Sequence, residues 1–521
     1  MTVKQRIFVC SLMLFFVAFI FCVFNNREEQ GFVGTSDNTE TIYIWYTDES
    51  LTDYLNSAAV EYMEMTGVRV VPRLHTGLNY LEDINEASLL GEEVPDLYII
   101  GTDNIERAAM TGLAVPVTDS LSVLNNLNYP EIAINSVTYD GKKYGYPFYY
   151  ETAFMLYNKT YLEWIADTAL RAELGFTTAD DTSDDMDNPD GDSSDESSDE
   201  SDSDSSDESS NDSTEDSDEE TGDNESLSED EMIYNDEGEI PDTVSQNDVI
   251  PEGYSEDSWQ LLVDEKVESI IPLSVEGMRS FAASYSAPDG AENIFLWDVN
   301  DIFYNYFFAG AYMNVGGIYG DDPGVIEIYN DDTVTCMGIY QGLNQYFSID
   351  ASTSSYENVL DSFLNGKTIF IIATSDALAT IDAAKYTGDF KWDYSVAPLP
   401  GVDSSHEAKG LSTTNAVMIN GFTENGYIAD DFARFVTSEY ADVLFQRTGK
   451  LAAVNGPEDY VVDATDLVRN MYKQSVQLPK LLKLSNYWLE LERTYRLIWE
   501  GSDPATSVSE LQTEMEDQLQ Q

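Results

Sequence analysis

The stretch Tyr144-Gly-Tyr-Pro-Phe-Tyr-Tyr-Glu-Thr-Ala-Phe-Met-Leu-Tyr-Asn-Lys159 decides how this chain is organised. Its aromatic and apolar residues favour a long extended strand, and the preceding Asp140-Gly141 is typical of a tight β-hairpin turn. Pro147 interrupts the strand pattern, because proline cannot donate to a sheet ladder. Beyond the interruption lie two tyrosines and a carboxylate: Tyr149, Tyr150 and Glu151. We expect this stretch to carry the chain from one lobe to another past a ligand.

The segment before this stretch alternates short apolar runs with stretches of helical length. The runs 41–46, 68–74 and 95–100 have the composition of buried strands, and helical segments separate them. This alternation predicts βαβ units and a parallel sheet covered by helices. Ligands bind such sheets at the carboxyl ends of the strands. Polar residues at those ends are therefore candidate ligand contacts: Asp48, Glu49 and Asp103.

Charge and composition exclude several classes of function. The 521 residues carry 97 acidic and 25 basic side chains, a formal net charge of −72, which argues against a nucleic-acid partner because phosphate binding requires a basic surface. The two histidines, His75 and His406, do not suffice for a multi-histidine metal site. Three cysteines, two of them in the N-terminal apolar run, do not provide a disulfide framework. We predict neither a cofactor nor a metal.

The N-terminus has the pattern of a membrane anchor. Lys4 and Arg6 precede an uninterrupted apolar run over Ile7–Phe24, whose length is at the lower limit for a membrane span. The flanking positive charges predict that the rest of the chain lies outside the cytosol. Small residues suited to cleavage are lacking, and the residues before Cys22 do not suit lipidation. We therefore expect an uncleaved signal-anchor and tether start over residues 1–30, with cleavage or lipidation as the alternatives.

An acidic insert follows the organising stretch. Asp180–Glu231 contains 26 Asp or Glu residues and no Lys or Arg, and most of the remainder is small and polar. Such a segment repels itself and buries too little apolar surface to offset chain entropy. We predict that residues 177–255 are disordered and act as a solvated spacer. The spacing of acids around Gly191 does not fit a calcium-binding loop.

The chain beyond the insert predicts a second α/β region. Residues 293–298 and 368–373 have strand composition, 301–312 is rich in aromatic residues over a helical length, and 412–419 is a further strand. Two aromatic residues near these strands, Trp297 and Tyr304, are candidate contacts for a ligand. From 457 onward the pattern is mainly helical, with a helix starting near Trp488.

These motifs, in this order, resemble the extracellular solute-binding proteins of bacteria, of the maltose- and sugar-binding type. The resemblance rests on Ile44-Trp45, Met65-Thr-Gly-Val68, Pro95-Asp-Leu97, Gly145-Tyr-Pro147 with Glu151 and Tyr157-Asn-Lys159, and on Phe363-Leu-Asn-Gly-Lys367 with Ala397-Pro-Leu-Pro400. It implies an α/β, two-lobed periplasmic-binding-protein-like fold with crossing hinge strands. The first lobe would span 40–147 and 412–450, and the second lobe would span 148–411 and 455–521, interrupted by the insert.

The resemblance also implies a function and a site. Such proteins capture a sugar between two lobes and deliver it to an ABC permease, so we expect a monomer on the extracytoplasmic face of the membrane. By position, Glu151 and Asp103 match sugar-contacting carboxylates and Trp488 matches a stacking tryptophan. The full set of expected contacts is Asp48, Glu49, Asp103, Tyr150, Glu151, Trp297, Tyr304 and Trp488. A carboxylate-dependent glycan-active enzyme and a receptor for another solute, such as a polyamine, are the alternatives.

Overall fold

The computed structural model describes residues 40–77, 79–91, 94–176, 250–347, 349, 354–456 and 464–520. The predicted signal-anchor and the predicted disordered insert up to residue 249 lie outside these ranges. Within the described ranges, no helix combines the length and the apolar character that a membrane span requires. The last residues of the predicted insert are ordered, since Ser255 caps a helix with its side chain.

The N-terminal region has the predicted alternation of strands and helices. Strand β1 pairs in parallel with β2 on one side and with β3 on the other, and helices connect them. Trp45, within β1, pairs with both neighbours. The elements are β1 (Thr41–Tyr46), α1 (Thr52–Thr66), β2 (Arg69–Leu74), α2 (Tyr80–Leu90), β3 (Leu97–Gly101) and α3 (Ile105–Met110). The prediction of a parallel sheet for this region is confirmed.

A short helix and a hairpin lead to the organising stretch. They are α4 (Glu131–Ser136), β4 (Thr138–Tyr139) and β5 (Lys142–Lys143), followed by the long strand β6 (Gly145–Asn158). The hairpin turn is the predicted Asp140-Gly141, and both residues have positive φ, 47° and 69°. Two positive φ angles are the signature of a type I′ turn, whose twist matches that of the paired strands.

The chain after β6 builds the second α/β region. Helices α5 and α6 flank the acidic insert and pack against each other. The elements are α5 (Lys159–Leu174), α6 (Glu256–Ile270), α7 (Val275–Ser284), β7 (Asn293–Leu296), β8 (Asn314–Gly316), β9 (Asp322–Glu327), α8 (Asp331–Phe347), α9 (Tyr356–Leu364), β10 (Thr368–Thr374), α10 (Asp376–Thr387) and β11 (Tyr394–Ala397). The aromatic segment predicted as one helix over 301–312 instead forms two 3₁₀ turns, Ile302–Tyr304 and Tyr306–Phe308, because Asp301 and Asn305 satisfy its backbone locally.

The last part of the chain returns to the sheet and then becomes helical. Its elements are β12 (Leu411–Ile419), α11 (Gly426–Arg434), a π-helical turn (Phe435–Glu439), α12 (Leu444–Thr448), β13 (Leu451–Ala452), α13 (Ala464–Gln474), β14 (Val476–Gln477), α14 (Tyr487–Trp499) and α15 (Pro504–Gln520). The helix predicted to begin near Trp488 is confirmed.

One ten-stranded sheet joins the two regions, with the order β2-β1-β3-β12-β6-β10-β7 along its main path. The first half of β6 pairs with β12, and its second half pairs with β10 and β11. The predicted interruption at Pro147 is a local one within a single long strand. The strand continues through a bulge, in which Tyr149 pairs with Asn415 and Pro147 pairs with Ala416. The strands β6 and β12 therefore cross between the regions.

Aromatic residues close the base of the acidic insert. Phe176, the last described residue before it, contacts Tyr254 and Trp259, with ring centroids 6.4 and 6.3 Å away. The Trp259 indole donates a 2.6 Å hydrogen bond to Asp167 of α5, and Asp167 also accepts one from Arg171. The chain thus leaves and re-enters the fold at one place, which we call the aromatic clasp (Phe176, Tyr254 and Trp259).

A buried lysine ties three segments together on another part of the molecule. Lys480 lies between β14 and α14 and is only 2% exposed. Its Nζ donates to the backbone carbonyls of Asn135 (2.7 Å), Thr138 (2.8 Å) and Tyr319. Its own backbone N–H donates to the carbonyl of Gly320. Lys480 therefore holds the segment around α4 and β4 against the loop between β8 and β9.

Candidate functional site

The carboxyl ends of β1 and β3 meet the middle of β6 at one edge of the sheet. Two predicted contacts, Asp48 after β1 and Glu151 within β6, come together there through a residue that the sequence did not suggest, Lys450. The Lys450 Nζ lies 2.8 Å from Asp48 Oδ2 and 3.4 Å from Glu151 Oε1. The same ammonium lies 4.8 Å from the centroid of the Tyr149 ring. We call this group the lysine corner (Asp48, Tyr149, Glu151 and Lys450).

Local backbone geometry places Lys450 in the corner. Helix α12 ends at Gly449, which has a φ of 71° and donates its N–H back to Phe445. A Cβ at Gly449 would also lie 2.6 Å from the Ala379 Cβ, so only glycine fits. In the following strand, Leu451 pairs with Tyr150. One residue earlier, Lys450 stands across from Glu151, where opposite charges attract.

Asp48 has two roles at this edge. Its Oδ1 accepts hydrogen bonds from the Ser50 backbone N–H (3.0 Å) and hydroxyl (2.7 Å), and so caps the 3₁₀ turn Glu49–Leu51. Its other oxygen faces Lys450. Burial alone would raise the pKa of Asp48, but the hydrogen bonds and charge of Lys450, together with Ser50, lower it below its usual value. Burial opposes the charge of Lys450, yet its two carboxylate partners raise its pKa. Both groups are therefore ionised at neutral pH.

Strand alternation assigns Tyr149, rather than Tyr150, to this corner. Adjacent residues of a strand point to opposite faces, so Tyr149 and Glu151 share a face and Tyr150 does not. The structure places Tyr150 in the core, 1% exposed and stacked on Tyr472 with ring centroids 3.8 Å apart. Of the two tyrosines, the structure thus places Tyr149 in the lysine corner and Tyr150 on the opposite face of the strand, in the core.

A cavity of about 250 Å³ opens beside the lysine corner. Asp48 and Tyr149 line it from one side, and Asn104 and Arg107 line it from the helical segment after β3. The Arg107 guanidinium is paired with Glu82, which also lines the cavity. Asn415 of the crossing strand β12 completes the wall. The cavity thus offers amide, carboxylate and guanidinium groups to a ligand.

A second cavity, of about 140 Å³, brings together Asp103 and Trp488. Asn104 and Arg107 line both cavities, so the two lie next to each other. Solvent still reaches the Asp103 side chain, but desolvation by the surrounding chain raises its pKa, against hydrogen bonds from its own backbone N–H and from Asn104. Trp488 is half-buried, and Phe303 packs near it with ring centroids 6.4 Å apart. An aromatic face and a carboxylate therefore line one concave surface.

The remaining predicted contacts lie elsewhere. Trp297 is fully buried and its indole donates to Asn305, so the structure places it in the core. Tyr304 is also buried, stacked on Tyr356 with ring centroids 4.6 Å apart, and its hydroxyl lies 3.5 Å from Thr374. These two expectations are corrected, because strand-end aromatic residues here fill the packing of the second region. Glu49 is exposed at the start of its 3₁₀ turn and lines neither cavity.

Tyr356, on which Tyr304 stacks, pairs with an exposed carboxylate, Asp376. The Tyr356 hydroxyl donates to Asp376, at 3.3 Å, and Asp376 is exposed. Asp376 begins α10 directly after β10, and the neighbouring Ser375 hydroxyl lies 3.5 Å from the Tyr150 carbonyl of the crossing strand. Asp376 is thus one residue away from a contact with the crossing strand β6.

Some of the missed residues left a signal in the sequence. Arg107 follows Asp103 by four residues in a helical segment, a spacing that puts both side chains on one face. Lys450 stands between a helix-ending glycine and an apolar run in a chain that has few basic residues. Asn415 left no signal, because its position depends on the register of β12 against β3 and β6.

Comparisons with known proteins concern the sequence and the fold of the chain. Residues 57–188 match the family model described as bacterial extracellular solute-binding protein. No curated protein sequence matches the chain. The solved structures that match are described by their titles as binding proteins.

Solved structures of maltose- and maltodextrin-binding proteins share the fold. A cyclo/maltodextrin-binding protein complexed with maltotetraose superimposes with a TM-score of 0.62 at 16% identity, over 93% of this chain and 99% of the other. An extracellular solute-binding protein from Staphylococcus aureus in complex with maltose gives 0.62 at 13% identity, over 93% and 99%. A maltose-binding periplasmic protein from Listeria monocytogenes, also in complex with maltose, gives 0.58 at 18%, over 92% and 98%. The chain therefore has the mixed α/β fold of the two-lobed maltose-binding proteins, and residues 57–188 are similar to extracellular solute-binding proteins.

Proposed function

We propose that this protein captures a sugar or oligosaccharide in the cleft beside the crossing strands and delivers it to an ABC permease in the membrane. The observation that carries the proposal is the meeting of Asp103 and Trp488 at one cavity, next to the cavity of the lysine corner. A sugar site needs flat aromatic faces for the CH surfaces of the ring and carboxylate or amide groups for its hydroxyls. The two adjacent cavities supply both.

The relatives support the choice of ligand class. The solved structures that share the fold include complexes with maltose, maltotriose, maltotetraose and maltopentaose. Their identity to this chain lies between 13% and 16%, so the length and linkage of the sugar bound here are open to direct measurement. The similarity of residues 57–188 to extracellular solute-binding proteins supports an ABC permease as the partner.

The domain boundaries and the anchor belong to the same proposal. The first lobe spans 40–147 and 412–450, and the second lobe spans 148–411 and 455–521, with Pro147 and Phe148 at the hinge. The bulge in β6 at this position supports a local bend. The apolar run Ile7–Phe24 holds the monomeric protein at the outer face of the membrane.

Ligand binding by the full chain, purified in mild detergent, tests the proposal. Maltose, maltotriose, a cyclodextrin, amino acids and spermidine are compared by thermal shift and then by calorimetry. At a ligand concentration 100 times Kd, binding to the native state stabilises it by about 2.7 kcal/mol. We expect a shift with at least one sugar, lost in Trp488→Ala and in Asp103→Asn. The control is Tyr386→Ala, which removes an aromatic side chain that is 89% exposed and lines neither cavity.

Two results contradict the proposal. A clear shift with spermidine and none with any sugar argues for a polyamine receptor. Release of reducing ends from a glycan, abolished in Glu151→Gln or Asp103→Asn, argues for an enzyme. A glycosidase needs one carboxyl group that stays protonated as the general acid. Asp48 does not suit that role, because Lys450 keeps it ionised.

A further inference from the structure

We propose that Lys450 is a built-in cation that fills an ammonium-binding corner of the cleft and so restricts the ligand to uncharged, hydroxyl-rich compounds. The inference rests on the proposed function and specifies its ligand class. It comes from the arrangement of the lysine corner, in which one ammonium has two carboxylates and an aromatic face as partners.

The corner has the composition of a site for an organic cation. Carboxylates attract an ammonium directly, and an aromatic face attracts it through the ring quadrupole, at distances up to about 6 Å. Asp48, Glu151 and Tyr149 supply these groups from two elements, the end of β1 and the strand β6. Without Lys450, two carboxylates would face each other across a partly buried space with no cation between them.

The ammonium of Lys450 has an advantage over any free amine. It is attached to the chain next to β13, which pairs with β6, so its local concentration at the corner is fixed by the fold. A tethered group reaches effective concentrations of about millimolar or more. A dissolved amine therefore has to compete with an internal one that is already in place, and Lys450 is only 15% exposed.

Lys450 does not compete in this way with the hydroxyl groups of a ligand. The side chains of Asp48 and Glu151 remain 32% and 38% exposed, and Asp48 lines the larger cavity. A carboxylate oxygen has two acceptor positions, so Asp48 Oδ2 and the oxygens of Glu151 can hold Lys450 and still accept from a sugar hydroxyl. The corner thus accepts polyols and rejects amines.

The test removes the internal cation and offers a free one. In Lys450→Ala, the missing part of the side chain corresponds to n-propylammonium, which is titrated calorimetrically into the full chain in detergent solution. The matched control is Lys266→Ala, because Lys266 is similarly covered (17% exposed) and paired with Glu173 at 2.5 Å, on helix α6 at the base of the insert. Any diffuse binding of amines to the acidic insert is common to all three proteins and cancels in the comparison.

We expect Lys450→Ala to bind n-propylammonium at least about tenfold more tightly than the wild-type protein and the Lys266→Ala control. Equal binding by the three proteins overturns the inference, and so does saturable, cleft-directed binding of the amine by the wild-type protein. If Lys450→Ala does not fold, Lys450→Ser takes its place, since a serine hydroxyl can donate to a carboxylate and leaves most of the space. If neither variant folds, the wild-type titration alone tests the inference, and saturable binding of n-propylammonium overturns it.

Maltotriose separates this inference from the proposed function. If the wild-type protein binds no sugar, the proposed function fails, whatever the amine titration shows. If it binds maltotriose and Lys450→Ala gains no affinity for n-propylammonium, the role of Lys450 fails while the sugar-binding function stands.

Discussion

Replacing Lys480 by methionine tests how a buried ammonium contributes to the stability of this fold. Burial lowers the pKa of Lys480 to about 7, against the opposing charge of Asp321. In the unfolded chain a lysine keeps its usual pKa of about 10.4. Between these two values the unfolded state binds one more proton than the native state, so the free energy of unfolding rises with pH. Below pH 7 both states are protonated and this dependence ends.

The size of the effect follows from these values. Each pH unit above the native pKa adds about 1.4 kcal/mol to the free energy of unfolding. Between pH 6 and pH 9 the wild-type protein should gain about 2.7 kcal/mol over Lys480→Met, because two units of that interval lie above pH 7. All other groups titrate alike in the two proteins, so they cancel in the difference.

Urea unfolding at pH 6, 7.5 and 9, followed by tryptophan fluorescence, measures the difference. The control is Lys385→Met, which removes an exposed lysine that is paired with Asp393 and so measures the effect of losing a surface lysine. A difference between wild type and Lys480→Met that stays flat from pH 6 to pH 9 would refute the reasoning. It would mean that the three carbonyl acceptors of Lys480 keep its ammonium protonated in spite of burial.

Three further predictions follow from packing. Replacing residues 177–249 by a short Gly/Ser linker should change the melting temperature by no more than a few degrees and leave sugar affinity within about twofold. The reason is that the aromatic clasp already closes the fold at the base of the insert. A large drop in the melting temperature would show that the insert supports the fold. Trp488→Ala should weaken sugar binding about tenfold or more and leave the urea midpoint close to that of the wild type, because Trp488 is half-buried. Unchanged sugar affinity in calorimetry would show that Trp488 is not part of the site. Trp297→Ala should cost about 3–5 kcal/mol in urea unfolding, as for a large core side chain, and a loss below about 1 kcal/mol would contradict its place in the core.

The order of strands and helices along the chain was easier to predict from the sequence than the direction in which side chains point. The hairpin at Asp140-Gly141 and the parallel strands β1 to β3 follow from turn chemistry and from apolar runs, which are local properties. Trp297 and Tyr304 were expected near a ligand because they follow or neighbour a strand end. Both are buried because the second region packs its aromatic residues against one another, a property of the tertiary structure.

The site itself was predictable in part. Strand alternation was enough to choose Tyr149 over Tyr150, once Glu151 was accepted as a site residue. Asp103 and Trp488 meet at one cavity although they lie far apart in the chain, and only the resemblance to a family connected them. Lys450 escaped prediction because its place across from Glu151 depends on how β13 pairs with β6, a register that no local pattern specifies.

The position of β12 has a consequence for how the protein reaches its final location. This strand lies between β3 and β6 in the sheet, yet the ribosome makes it long after both of them, once the acidic insert and most of the second region have been synthesised. The N-terminal part of the sheet therefore remains incomplete until most of the chain has emerged. Contacts of such long sequence separation slow folding, and a chain that folds late is still extended when a secretion channel must thread it. Given the extracytoplasmic location proposed above, the same strand order favours export before folding.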